Sequence, residues 1–270
     1  TIFRSGSNYG SIPFFPKINE EDTPEEIMEA FICQFYNKNT SPKLILVNIF
    51  PKEKKLIEEY LYNISKHKSI LQMPKRGLKN KILLTSEKNA SEILNRKIYE
   101  KASNKNNLDT FKEKFNLKAE INKIEVYDNS HMQGKNSVGA MIVFSSDGFL
   151  KPLYRKFNFM ENHLNLNAQA KEKINNDYFM MEEMIKRRFQ SKTNTEFPEV
   201  IIIDGGKGHL SVISKVIEKL GIKNLFILAV SKGKNRNSGE ESFFIENNLD
   251  IYLEKNHPLR FFIQNLRDEA

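Results

Sequence analysis

The chain has 270 residues, of which 39% are hydrophobic, so two folded domains are more plausible than one and wholesale disorder is excluded. No run of about 20 apolar residues is present, which excludes a conventional membrane-spanning helix. The single cysteine, Cys33, excludes an internal disulfide and favours a reducing compartment such as the cytoplasm. The net charge of +8 favours a polyanionic partner such as nucleic acid, although the same side chains also commonly coat a solvated surface.

The first hundred residues alternate between strand and helix patterns. A hairpin turn is predicted at residues 8–10. A helix is predicted to begin at Thr23, because Thr23 and Glu26 have the spacing of a capping box and Pro24 suits the first turn. The further predicted elements are a buried strand at 44–49, a helix at 52–64, a short strand at 69–73 and a helix at 86–102. Residues 1–102 are therefore predicted to form a non-catalytic α/β domain that serves as a scaffold or contacts DNA.

Residues 103–120 are polar and weakly periodic, which predicts a linker that carries one short helix. The second domain is predicted at residues 121–270, and its pattern begins with an antiparallel meander whose last turn is marked by Asp147-Gly148. Its predicted elements are strands at 121–130, 138–144 and 153–159, a helix at 177–189, a buried strand at 200–203, a helix at 210–220, a buried strand at 225–230, a peripheral hairpin and a final helix at 258–266.

Three aspartates lie at the ends of predicted strands or at the start of a predicted helix in this domain. Asp128 lies at the end of the first strand of the domain, Asp204 follows the fourth strand, and Asp177 opens the helix between them. In an RNase H-like sheet the first and fourth strands are neighbours, so Asp128 and Asp204 would converge and Asp177 would close the cluster. Clustered carboxylates repel one another unless a hard divalent cation compensates their charge. Two such ions can activate a water molecule and stabilise the leaving oxygen of a phosphodiester. We therefore predict a catalytic metal site at these three aspartates.

Simpler explanations exist for the same residues. Asp204 precedes two glycines and could open a turn, and Asp177 could cap its helix, whereas Asp128 has extended neighbours on both sides and no such explanation. The loop Gly205-Gly206-Lys207-Gly208 could instead cradle a phosphate at a helix N-terminus. Because this loop lacks the spacing of known nucleotide-binding loops, nucleotide binding is only our third hypothesis.

A second set of residues is predicted to support the aspartates. His131, three positions after Asp128, is predicted to assist the metal ligands. The other four histidines lie in polar segments and are predicted to be at the surface: His67, His163, His209 and His257. The side chains predicted to contact DNA are Lys207, Lys232, Lys234, Arg236, Arg187 and Arg188.

Five segments resemble motifs of the UvrC family of excinucleases. Residues 127–131 (YDNSH) are similar to the family's F-D-I-S-H, residues 154–157 (YRKF) to its Y-R-R-F, and residues 203–208 (IDGGKG) to its I-D-G-G-K-G. Residues 177–188 are similar, from its second acid onwards, to a D-D-Y-x-x-M segment that is followed by R-R, and residues 267–270 are similar to R-D-E-A. The resemblance extends over nearly the whole chain.

The resemblance implies a metal-dependent DNA endonuclease of bacterial nucleotide excision repair, which cuts on the 5′ side of a lesion. Asp128, Asp177 and Asp204 would be its catalytic carboxylates, and Mg²⁺ or Mn²⁺ its cofactor. Damaged double-stranded DNA and UvrB would be its partners, with UvrA upstream in the pathway, in the cytoplasm and away from any membrane. The expected fold is α/β in two domains: an RNase H-like mixed sheet with flanking helices, and a smaller first domain for which a degenerate RNase H-like fold is our hypothesis.

The chain departs from the family pattern at three places. Asn129 stands where the family has an apolar residue, and Asn176 stands where it has the first acid of a pair. The catalytic histidine of the family would come directly after Ala270, so we expect a C-terminally truncated domain that binds metal but cuts weakly or not at all by itself. The alternative is a non-catalytic nucleic-acid-binding scaffold module.

Overall fold

The computed structural model describes residues 1–19, 21–132, 136–159, 177–190, 196–231, 241–245 and 249–270, with the backbone alone at 130–132 and 136–137. The chain divides into two units, Thr1–Ile98 and Tyr99–Ala270. Within the described ranges, no helix has the length and apolar character that crossing a membrane requires.

The first unit is a small α/β structure. Its elements before the last helix are β1 (Phe3–Arg4), β2 (Ser7–Asn8), α1 (Pro24–Asn37), β3 (Leu44–Leu46), α2 (Lys54–Ser65) and β4 (Ile70–Gln72). Strands β3 and β4 pair in parallel. The fully buried side chains of its core are Ile32, Val47, Ile57, Leu61 and Leu71.

Local sequence signals predicted the start of α1 correctly but predicted the first turn at the wrong position. The capping box is confirmed: Thr23 Oγ1 accepts a hydrogen bond from the Glu26 backbone N–H, and Glu26 Oε2 accepts one from the Thr23 N–H at 3.1 Å. The predicted turn at residues 8–10 was wrong. Strands β1 and β2 are instead joined by a turn at Ser5-Gly6, and both of these residues have a positive φ. Glycine adopts such a conformation, here φ +80° at Gly6, without steric cost.

The predicted linker was also wrong. Helix α3 runs without interruption from Gly77 to Lys114, and the division between the two units falls inside it. Residues 103–114 of this helix are mostly polar, so this part of the sequence has little apolar periodicity. Its last turns are held instead by Leu108 and Phe111, which are buried in the core of the second unit.

The second unit is built on an eight-stranded mixed sheet. Its strands are β5 (Ile124–Met132), β6 (Asn136–Ser145), β7 (Gly148–Phe149), β8 (Arg155–Phe159), β9 (Val200–Asp204), β10 (Phe226–Ser231), β11 (Ser242–Ile245) and β12 (Leu249–Ile251). The order is β12-β11-β10-β9-β5-β6-β7, with β8 also paired to β6. Strand β5 is antiparallel to β6 and parallel to β9, which is parallel to β10. The predicted RNase H-like arrangement, with the first strand beside the fourth long one, is confirmed.

Helices cover both faces of this sheet. On one face lie α4 (Asp177–Gln190) and α5 (Lys207–Lys219), and on the other the end of α3 and α6 (Pro258–Glu269). The strand residues divide between the two cores by alternation, as a strand buried on both faces requires. Tyr127, Ile201 and Ile203 belong to the first core, and Val126 and Ile202 to the second.

Candidate functional site

Asp128 and Asp204 lie side by side at the point where β5 and β9 part. The last paired position of these parallel strands is Tyr127 opposite Ile203, and each aspartate is the next residue along its strand. Neighbouring strands are about 4.8 Å apart, and equal steps from a paired position put both side chains on the same face. Asp128 lies within β5, which continues to Met132, whereas Asp204 ends β9. The predicted convergence of these two residues therefore agrees with the strand register.

Asp177 is the first residue of α4 and is linked to β5 through Asn129. The Asn129 side-chain Nδ2 donates to the backbone oxygen of Asp177 at 3.1 Å. The other side-chain atom of Asn129, Oδ1, is buried and accepts no hydrogen bond from the described part of the chain. This asparagine stands where the resemblance predicts an apolar residue. Its hydrogen bond connects the start of α4 to β5 directly beside Asp128.

His209 belongs to this site, although the sequence predicted a surface residue. Its imidazole is half-buried and stacks on the ring of Tyr178, with centroids 4.4 Å apart and planes at 27°. Burial lowers the pKa of His209, while the negative charges of Asp177 and Asp204 act in the opposite direction. The sequence feature that could have indicated this position is the presence of glycines at 205 and 208, which leave space for two large rings.

The glycine-rich loop is filled by those two rings. A methyl group at Gly205 would lie 2.5 Å from Cγ of His209, and one at Gly208 would lie 2.6 Å from the Tyr178 hydroxyl. A methyl group at Gly206 would meet nothing closer than Ser231 Cβ at 3.9 Å. Gly205 and Gly208 are therefore needed for close packing against protein side chains, which weakens the hypothesis that this loop cradles a nucleotide phosphate.

The structure does not support Arg188 as a DNA contact. Its side chain is 3% exposed, and its Nε and Nη2 donate to Glu125 of β5 at 2.9 and 2.7 Å. Glu125 also accepts a hydrogen bond from the Tyr127 hydroxyl at 2.6 Å. The neighbourhood raises the pKa of Tyr127 well above its usual value, first through burial and then through the charge of Glu125. Arg188 instead fastens α4, which begins with Asp177, to the strand that carries Asp128.

The other basic residues differ in how far the structure describes them. Lys207 is exposed at the start of α5, where its Nζ lies 2.7 Å from Asp250 Oδ1 and 5.2 Å from the centroid of the Phe244 ring. Arg187 is about one-third exposed and donates to Glu183 at 3.0 Å. Both remain candidate phosphate contacts. Lys232, Lys234 and Arg236 lie outside the described residues, as does the side chain of His131.

The donor set fits a hard divalent cation held mainly by two residues. Among the described side chains, no group of three His, Cys, Asp or Glu residues is close enough to hold a metal ion. A magnesium-like ion, however, is commonly bound through one or two carboxylates, with substrate phosphate and water completing its shell. Asp128 and Asp204 supply such a pair, and the buried Oδ1 of Asn129 is a hydrogen-bond acceptor beside it. The predicted third ligand, Asp177, stays a prediction.

Two family models match the chain. The one described as UvrC RNAse H endonuclease domain matches residues 112–270. The chain belongs to the UvrC family. The model described as UvrC Ribonuclease H-like domain matches residues 1–97, which agrees with our hypothesis for the first unit of this UvrC-family chain.

Curated relatives match over the whole chain. The UvrABC system protein C of Hyphomonas neptunium is 38% identical over 278 residues, which cover 100% of this chain and 44% of that protein. The protein of the same name from Paramagnetospirillum magneticum is 36% identical over 276 residues, covering 100% and 43%. The chain thus spans less than half the length of these relatives.

Among solved structures, endonuclease V of Ciona intestinalis in complex with inosine-containing DNA matches with a TM-score of 0.29 and 15% identity. The match covers 43% of this chain and 48% of that one.

Proposed function

We propose that this chain is the part of a bacterial nucleotide excision repair endonuclease that cuts damaged double-stranded DNA on the 5′ side of a lesion. The observation that carries the proposal is the placement of Asp128 and Asp204 at adjacent register positions of β5 and β9 in an RNase H-like sheet. The relatives bear the name UvrABC system protein C, so UvrB would be the direct partner and UvrA would act upstream, in the cytoplasm.

Each residue of the site would have a separate task. Asp128 and Asp204 would hold Mg²⁺ or Mn²⁺ through carboxylate oxygens, and Asp177 would complete the cluster. Such ions, when bound, activate a water molecule and stabilise the leaving oxygen of a phosphodiester. The Asn129 amide would orient the start of α4 through its bond to Asp177, and Lys207 would place a backbone phosphate at the beginning of α5.

Metal binding by the chain tests this proposal directly. We would titrate Mn²⁺ into the chain by calorimetry and compare it with Asp128→Asn, Asp204→Asn and the double variant. Each single change removes a charged ligand, so we expect weakened binding in both and none in the double variant. The matched control is Asp147→Asn, because Asp147 is an exposed aspartate paired with Lys101 at the opposite end of β6.

The outcome separates the nuclease from the scaffold hypothesis. The missing three-residue group among the described side chains favours the alternative, a nucleic-acid-binding module without catalysis. If the aspartate variants bind Mn²⁺ like the wild-type chain, the carboxylates form no metal site and the nuclease proposal is rejected. DNA binding that persists in that case would then support the scaffold. We expect at most weak incision of a lesion-containing duplex by this chain, and incision that is lost in Asp128→Asn and kept in Asp147→Asn would support the nuclease.

A further inference from the structure

We infer that the stacked pair Tyr178–His209 is a positioning device that fixes the distance between Asp177 and Asp204. The inference rests on the proposed nuclease function, because the distance matters only if both carboxylates serve one metal site. Neither ring is assigned a part in the chemistry itself. Their role is to join two helices: α4, which begins with Asp177, and α5, which begins three residues after Asp204.

The chain connectivity makes the stack an effective link. Tyr178 directly follows Asp177 in the first turn of α4, and His209 lies in the first turn of α5, just after the loop that begins at Asp204. The ring centroids are 4.4 Å apart, and the planes are nearly parallel at 27°. Because Tyr178 is adjacent to Asp177 and His209 comes five residues after Asp204, a change in the separation of the rings moves the start of α4 relative to the end of β9.

Two glycines show that the loop is shaped around this pair. At Gly208 an added methyl group would lie 2.6 Å from the hydroxyl and 2.9 Å from Cε1 of Tyr178, and at Gly205 it would lie 2.5 Å from Cγ of His209. Contacts this short are not tolerated by real side chains. The backbone after Asp204 therefore approaches both rings as closely as glycine allows, and it does so at two separate points.

The exposure of the pair argues against a simple packing role. Tyr178 is 43% exposed and His209 is only half-buried, whereas the core residues of α4, such as Met180 and Met181, are completely buried. Stability from the hydrophobic effect scales with the apolar area removed from water, so these two partly exposed rings contribute less than fully buried side chains do. What the stack does supply is a defined geometry, because offset-stacked rings have a preferred separation.

The test uses two pairs of variants that separate the ring from its polar atoms. Tyr178→Phe and His209→Phe keep an aromatic ring at each position, whereas Tyr178→Leu and His209→Leu remove it. Two quantities are measured on the full chain: the affinity for Mn²⁺ by calorimetry, and the coupling between the two leucine changes in a double-mutant cycle of urea unfolding. The cycle needs no metal, so it reports on the stack independently of the proposed function.

We expect the leucine variants to bind Mn²⁺ roughly tenfold to a hundredfold more weakly, as is usual when a residue that orients a ligand is lost. The phenylalanine variants should bind like the wild-type chain. The cycle should show coupling of about two- to tenfold in the unfolding equilibrium constant, which corresponds to the usual strength of an aromatic pair. This combination supports the inference.

Three results would overturn it, and each has a different meaning. Absence of coupling shows that the rings do not stack in solution. Coupling with unchanged Mn²⁺ affinity in the leucine variants shows that the stack is structural only. Absence of Mn²⁺ binding by the wild-type chain removes the metal site, so the proposed function fails and the inference fails with it, even where the coupling is intact.

Discussion

The ion pair between Arg188 and Glu125 is a buried interaction whose loss should strongly destabilise the second unit. Both side chains are almost completely buried, at 3% and 2% exposure. Arg188 makes short charge-assisted bonds to Glu125 and donates to the Glu196 backbone oxygen at 3.1 Å. Replacing Arg188 by methionine keeps much of the volume and removes the charge. Glu125 would then remain buried with the Tyr127 hydroxyl as its only hydrogen-bond donor among the described residues.

The size of the effect follows from the geometry. Removing one partner of a buried pair costs about 3–5 kcal/mol, because the remaining charge is left without compensation. The pair is imperfect, since Nη1 of Arg188 is buried without a partner in the described residues, so we expect the lower end, about 3 kcal/mol. With an m-value of about 2 kcal/mol/M, the urea midpoint should fall by roughly 1.5 M. The double variant Glu125→Met/Arg188→Met should recover most of this loss, less the cost of the Tyr127 hydroxyl left without an acceptor.

Urea unfolding followed by circular dichroism is the assay, and Arg187→Met is the matched control. Arg187 is the next residue along α4, it is 35% exposed, and its partner Glu183 lies one turn away on the same helix. Such a surface pair contributes about 0–1 kcal/mol. If Arg188→Met shifts the midpoint no more than Arg187→Met does, the pair is solvated in the protein and the reasoning about α4 is refuted.

Two further changes test the neighbourhood of the site. The raised pKa of Tyr127 means that the folded state retains the phenol proton above about pH 10, where the unfolded chain loses it. The contribution of this shift to the stability of the folded state is therefore full below about pH 10 and is lost as the pH rises towards the pKa of the folded state. Tyr127→Phe should therefore lose less stability between about pH 9 and about pH 11 than the wild-type chain in urea titrations, and an equal loss would contradict the assignment. Gly139→Ala should cost about 1–3 kcal/mol by overpacking, because its methyl group would lie 2.0 Å from Sδ of the buried Met184. Combining it with Met184→Ala should cost less than the sum of the two changes, and strict additivity in thermal melts would show that they do not meet.

The fold of the second unit followed from local patterns to a large extent. Apolar runs such as residues 200–203 and the turn at Asp147-Gly148 are short-range signals, and they predicted the meander and the two buried strands, whereas the order of the strands came from the RNase H-like topology. The same signals failed at the last part of α3. Residues 103–114 are mostly polar and have little apolar periodicity, and the contacts of Leu108 and Phe111 that hold the end of α3 are made with strands that come later in the chain.

The candidate site also has features that the sequence predicted and features that only the tertiary structure decided. The amino-acid sequence predicted that Asp128 and Asp204 would lie together, and each is the residue after the last paired position of two strands that an RNase H-like order makes neighbours. Only the tertiary structure decided that Arg188 is buried against Glu125, 63 residues away, and that His209 stacks on Tyr178. A basic or imidazole side chain on a helix has the same local pattern whether it faces solvent or a partner. Its environment is set by side chains from distant segments, which approach it only when the sheet and its helices have assembled.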